Sequence, residues 1–331
     1  MVAFFDCSHA AWAITKLAGQ LWIFSPVRAL TSESVARMPT DSAVITDQVA
    51  NPGENKLKAQ KEKVWSLRKR LHAREAFLLP EIWDLVSARI VEEAGFGLIG
   101  ISSEALAWTR ALKRTDRVAP DVLVETAKRI CGSAKVPVIA DLEGIAGRPL
   151  EEIGRSSQEI IRAGCIGIAI GDGGRAGAHG IVPAKEMAAA IQAVKTAALE
   201  TKLPVVIMAR TEAFLLDPPP QSPFETAVER AEAYFAAGAD CISVPGAHHI
   251  QIVERLSSNI GGPLCVTVGI TPAPGLSDFA GAGAACVALG TVLLRTSLGT
   301  LRMKAEEVLA FGHFNSLDKA ITEEYLESLL T

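Results

Sequence analysis

No stretch of about 20 consecutive apolar residues occurs, the length a bilayer-spanning helix needs. Even the patchily apolar first 24 residues are interrupted by Asp6, His9, Lys16 and Gln20. Net charge is nearly absent, −4 over 331 residues. That removes the electrostatic case for nucleic acid or an anionic membrane surface and leaves a small molecule as the expected partner. CxxC pairs and Cys/His spacings of a zinc site are also missing. The six cysteines are scattered, and Cys165, Cys241, Cys265 and Cys286 fall at or inside apolar runs, so they read as reduced core thiols of a cytoplasmic protein.

Hydrophobic residues make up 49% of the chain, enough for a large core. Residues 1–55 stand apart, rich in hydroxyls and poor in acids. They read as a poorly ordered extension, compatible with an organelle transit peptide and equally with a tail or a misplaced start codon. From residue 56 to 331 one pattern rules. A basic leading helix over 56–72 carries Leu57, Val64, Leu67 and Leu71 on one face. Short apolar runs then follow at 76–79, 97–101, 136–140, 166–170, 205–209, 241–244, 264–268 and 285–289. Helical segments at 85–94, 122–131, 150–163, 184–198, 225–237 and 250–256 alternate with them. Strands of this length with helices between them predict a (β/α)8 TIM barrel. Four helix ends share a glycine followed within a few residues by a strand, as in EEAGFGLIGI and FAAGADCISV, a repeat of the βα unit. Two further helices follow, 292–311 and 315–330; one suffices to close the barrel, and the surplus last one must bury Ile321, Tyr325 and Leu329 on its own barrel or on a partner's.

In such a barrel the side chains just after the strands build the active site. The stretch VPVIADLEG ends a buried strand with Asp141 and Glu143 on one side. Two carboxylates with open water positions suit Mg2+, although the same residues could simply open a loop. Ser102 and Ser103 follow the second strand, either as helix caps or as a cradle for a carboxylate or enolate oxygen. Asp172 follows the fourth strand. Arg210, Thr211 and Glu212 follow the fifth, where a buried arginine requires an anion: Glu143, Asp172, Glu212 or a substrate carboxylate. The glycine-rich segment RAGAHG after Asp172 could close over the mouth, carrying Arg175 or His179 as an acid or anion clamp, or could be a solvated loop. Asp84 reads as a helix N-cap, and His248 with His249 as solvent-facing residues at a helix start.

Taken in order, LPEIWDLVSARIVEEAGF, ISSEAL, ADLEG, the GD pair at 171–172, ARTEAF, ERAEAYFAAGADCISVPG and GTVLLRTSLGTLR make residues 65–314 resemble the isocitrate lyase/phosphoenolpyruvate mutase superfamily, in its short phosphonomutase-like form. The resemblance implies a (β/α)8 barrel, a homo-oligomer (dimer or tetramer) that exchanges its last helix, and Mg2+-dependent making or breaking of a C–C or P–C bond beside a 2-oxo group through a stabilised enolate. It implies Asp141 and Glu143 at the metal, with Asp172 as the neighbouring acid. Ser102 and Ser103 would lie at the oxo-acid end, Arg210 and Glu212 at an anionic substrate group, and His179 in the loop. Two positions depart from the family pattern. Gly171 stands where a metal-shell glutamate is usual, and Gly177 and Ala178 stand where the lyases carry Cys and Gly. The first weakens the metal site; the second favours oxaloacetate-like or phosphonopyruvate-like substrates over isocitrate or methylisocitrate. The competing expectation is a barrel that keeps the fold and only binds ligands.

Overall fold

The structure is a computed structural model that describes residues 52–330, apart from 74, 114, 115, 117, 175–179, 217, 218, 220, 270–272, 315, 316, 318 and 319. The expectation placed on residues 1–51 therefore lies outside the described residues. So do those placed on Arg175 and His179.

Nine parallel strands form one sheet: β1 (Phe77–Leu79), β2 (Glu81–Ile82), β3 (Ile99–Ile101), β4 (Val138–Asp141), β5 (Gly167–Gly171), β6 (Val206–Arg210), β7 (Cys241–Ser243), β8 (Leu264–Thr267) and β9 (Cys286–Ala288). β1 pairs with β9 and β2 with β3. The two are halves of one strand interrupted at Pro80, which has no N–H to give to a ladder. Its carbonyl still accepts from the Gly100 amide at 2.8 Å. Counting the halves together, the sheet closes as an eight-stranded barrel, as the alternating sequence pattern predicts.

Around it lie α1 (Pro52–Leu71), α2 (Leu85–Glu93), α3 (Ser103–Trp108), α4 (Pro120–Ser133), α5 (Leu150–Ala163), α6 (Ala184–Glu200), α7 (Pro223–Ala237), α8 (Ile250–Asn259), α9 (Leu276–Gly281), α10 (Val292–Phe311) and α11 (Glu323–Leu330). α5 shows why these segments are helices. Its buried residues Ile153, Ser156, Ser157, Ile160 and Ile161 recur at helical spacing, and Gly164, with φ of 122°, ends it where a side chain would be strained. Burying each of those isoleucines contributes roughly 1.5–3 kcal/mol. Asp84 caps α2 as expected: its carboxylate accepts from the Ser87 amide at 2.7 Å, and Ser87 Oγ accepts from the Asp84 amide at 3.1 Å.

α1 starts at Pro52, slightly earlier than the sequence suggests, and closes the end of the barrel where the strands begin. It buries Val64, Leu67 and Leu71. Arg68 donates to Asp240 (2.8 Å) and to the Val205 carbonyl (3.0 Å), just ahead of β7 and β6, and Gln60 donates to the Cys165 carbonyl (3.0 Å), ahead of β5. The opposite end is left open.

The last two helices differ in packing. α10 buries only Leu294 and leaves Leu298, Leu301, Met303, Leu309 and Phe311 exposed. α11 is shorter than the expected 315–330 and rests on α2, where Tyr325 hydroxyl donates to Glu93; Ile321 stays exposed. No helix among the described residues is long and apolar enough to cross a membrane.

Candidate active site

The inward side chains of the barrel alternate along each strand. Leu79, Ile139, Ala169, Met208, Cys265 and Ala288 fill its interior, and Glu81, Asp141, Arg210, Thr267 and Gly290 lie above them at the open end. There a cavity of about 90 Å³, room for several waters or a ligand of similar size, is lined by Glu81, Ser102, Glu104, Asp141, Glu143 and Arg210 among others. Among the described residues Arg210 is the cation on this lining, facing four carboxylates.

Asp141 is the last residue of β4, and Glu143 follows with one residue between, so both reach the same space. Arg210 joins them, its Nη1 at 3.0 Å from Asp141 Oδ2 and its Nη2 at 3.1 Å from Glu143 Oε1. Its Nε stands 4.0 Å from Glu212. Ser103 Oγ lies 3.1 Å from Asp141 Oδ2 and 3.0 Å from Glu143 Oε2, sharing one hydroxyl proton between them. Asp141 Oδ1 is buried and has no hydrogen-bond partner among the described residues. Burial pushes the Asp141 carboxyl upward, Arg210 opposes this, and Glu143 adds to it. For Arg210 burial works against the charge, but Asp141, Glu143 and Glu212 outweigh it and hold the guanidinium well above its ordinary range.

Ser102 and Ser103 divide the roles the sequence left open. Ser102 is the N-cap of α3, accepting from the Ala105 amide at 3.2 Å, while its side of the turn lines the cavity. Ser103 turns to the carboxylates. Arg210 meets protein carboxylates, including Asp141, which was not among its expected partners. Glu212 borders the guanidinium rather than the cavity.

Asp172 is not in the site. It is fully buried on the far side of β5, with Arg230 Nη1 at 3.0 Å, Tyr234 hydroxyl at 2.7 Å and the Glu212 amide at 2.9 Å. It follows Gly171, which has the inward parity of Ala169, so period two turns Asp172 toward α7. The expectation of a metal-shell role for Asp172 is corrected accordingly: it is a structural anchor. Gly171 does face the site, where a Cβ built on it would stand 2.9 Å from Arg210 Nη2 and 3.0 Å from Nε.

Two acids escaped the sequence reading. Glu81 lies two residues beyond Leu79 on the same face. Burial first, then Asp141, pushes its carboxyl to about 8, with Arg210 pulling the other way and Glu104 and Glu143 raising it further. Glu104 is carried in on the first turn of α3. His249 precedes α8 and is exposed, as expected, with His248 half-buried beside it. The described cysteines are free, and all but Cys131 are fully buried.

The donor set at the mouth is hard oxygen throughout, negative in excess, with an orphaned carboxylate atom; these are the properties that suit Mg2+. Among the described residues no group of three or more His, Cys, Asp or Glu is drawn close enough to form a ready-made metal cage. A cation would thus take one or two protein carboxylates and complete its shell with water or substrate, the usual habit of Mg2+.

The fold and the open end together define the class of protein: a closed (β/α)8 barrel with carboxylates, a serine and an arginine at the mouth of its strands. Within that class, the chain belongs to the phosphoenolpyruvate phosphomutase family, whose model matches residues 67–309. A 2-methylisocitrate lyase of Bacillus subtilis is 30% identical over 194 residues, 57% of this chain and 61% of that enzyme, so the match spans under two thirds of the relative. An oxaloacetate decarboxylase of Chromohalobacter salexigens is 32% identical over 207 residues, 60% of this chain and 69% of the relative. Among solved structures, phosphonopyruvate hydrolase in complex with oxalate and Mg2+ superposes with a TM-score of 0.71, covering 81% of this chain and 94% of that one at 22% identity, which shows a shared fold.

Proposed function

We propose that the chain is a Mg2+-dependent lyase or hydrolase that cleaves a C–C or P–C bond beside the 2-oxo or 2-hydroxy group of a small carboxylic acid. The observation that carries this is the Asp141–Glu143 pair at the barrel mouth, fixed by Ser103 and Arg210 and leaving Asp141 Oδ1 without a hydrogen-bond partner among the described residues. Asp141 and Glu143 would hold the cation. When bound, Mg2+ supplies positive charge opposite the negative charge that develops on the 2-oxo oxygen as the bond breaks.

The chain's own groups do the rest. Ser103 fixes both carboxylates in place, so little reorganisation is needed on binding. Arg210 orients an anionic substrate group, its planar fork suiting a carboxylate or phosphonate. The turn at Ser102 and Ser103 borders the oxo-acid end. The apolar layer of Met208, Ile139 and Ala169 beneath excludes water from the floor. The segment with Arg175 and His179 is proposed to supply a further acid or clamp.

One observation favours a second reading, a barrel that binds ligands without chemistry: Arg210 already pairs with both carboxylates. A panel of oxaloacetate, phosphonopyruvate, 2-methylisocitrate and 2,3-dimethylmalate, each followed for product with and without Mg2+, separates the two. Turnover of one or more that needs Mg2+ supports the enzyme. Binding without turnover of any supports the second reading.

A further inference from the structure

We propose that the missing side chain of Gly171 is the seat of the Arg210 guanidinium, which makes Arg210 a built-in counter-cation that a divalent cation must turn out before reaching Asp141 and Glu143. The inference rests on the reading of those two acids as cation ligands.

The geometry is specific. Gly171 and Arg210 are paired neighbours on β5 and β6, both facing inward. A Cβ at 171 would stand 2.9 Å from Nη2, 3.0 Å from Nε and 3.2 Å from Cζ, all three at the far end of one flexible side chain. A Cβ there therefore pushes the guanidinium off this seat, since the far end of a flexible side chain gives way before the backbone does. With glycine, the guanidinium rests against β5 and reaches Asp141 and Glu143 with separate nitrogens. A second cation cannot share those oxygens at close range, because two positive charges in a half-buried site repel strongly. Cation entry and Arg210 departure are thus one event. The displaced guanidinium keeps its stem on β6 and stays at the mouth, where an anion bridging it to the cation replaces the lost carboxylates. Cation and oxo acid bind cooperatively as a result, and cation alone binds weakly.

The test is titration calorimetry with Mn2+ alone and Mn2+ with oxalate, on the full chain and its Gly171→Ala and Arg210→Gln variants, with thermal melting to show that each is folded. For the unaltered chain, oxalate is expected to tighten Mn2+ by at least about tenfold. Gly171→Ala and Arg210→Gln are each expected to tighten Mn2+ alone by at least about tenfold, since the first displaces the competing charge from the carboxylates and the second removes it. In Arg210→Gln the gain from oxalate should shrink. If Mn2+ binds measurably with equal affinity in all three proteins, or more weakly in a folded Gly171→Ala, the inference is overturned while the proposed function stands. If none binds Mn2+ even with oxalate, the proposed function fails and the inference with it.

Discussion

Replacing Asp172 with alanine separates a structural anchor from a metal ligand. The side chain is wholly buried and receives three donors: Arg230 Nη1 at 3.0 Å, Tyr234 hydroxyl at 2.7 Å and the Glu212 amide at 2.9 Å. Arg230 retains the Val182 carbonyl at 2.9 Å but loses its counter-charge. Breaking a buried ion pair from one side costs about 3–5 kcal/mol, because the remaining charge is stranded. For a barrel of this size about 1 kcal/mol moves the melting temperature by roughly 2–4 °C, so a fall of about 6–20 °C is expected. Asp172→Asn keeps one acceptor for the Glu212 amide and should lose less. Urea unfolding and calorimetric melting read the stability, and a double-mutant cycle with Arg230→Gln reads the coupling. Mn2+ affinity with oxalate should not change in whatever fraction remains folded. A stability loss below about 1 kcal/mol, or a fall in cation affinity beyond about tenfold in folded protein, would refute the assignment.

Three further outcomes follow from particular contacts. Glu81 has its carboxyl raised to about 8 from 4.5, so its contribution is complete below pH 4.5 and is lost as pH rises toward 8. The loss is up to about 1.4 kcal/mol per pH unit. Asp141, Glu143, Glu104 and Arg210 face it, and Glu81→Gln should flatten the decline in urea unfolding between pH 5 and 9; an unchanged slope would show that another group is responsible. Asp84→Ala removes the N-cap of α2 and should cost about 1 kcal/mol by the same assay without changing ligand binding; a neutral result would mean that Ser87 or water replaces the cap. Association through the exposed apolar face of α10 that carries Leu298 and Leu301 is proposed, and Leu298→Asp with Leu301→Asp should reduce the mass measured by light scattering to that of one chain. An unaltered chain that is already monomeric, or an oligomer indifferent to both changes, would refute it.

Much of the fold could be read from the sequence because its two periods are clean. α5 and α10 have the bounds that apolar spacing suggests, and every strand except β2 lies within a residue or two of its apolar run. α3 and α9 went unseen, each only six residues long and too short for a helical period to show. At the site, Asp141, Glu143, Ser102, Ser103 and Arg210 come together as the strand-end rule requires. Asp172 was misplaced because strand-end position was used without parity: β5 runs to Gly171, and the next side chain points away. Glu81 was overlooked for the converse reason. Pro80 breaks the apolar run at Leu79, yet the strand resumes and period two carries Glu81 inward. No local pattern could reveal that the guanidinium of Arg210 fills the place left by Gly171, since that contact joins neighbouring strands about 40 residues apart, and sequence spacing carries no register.

The central claim is that Asp141 and Glu143 hold a divalent cation against a small oxo acid. Calorimetric titration of Mg2+ in the presence of oxalate tests it most directly, on the unaltered chain and on Asp141→Ala. Saturable Mg2+ binding below millimolar concentration is expected in the first, and its loss in a variant that still melts cooperatively. No binding at millimolar Mg2+, or binding undiminished in Asp141→Ala, would contradict it.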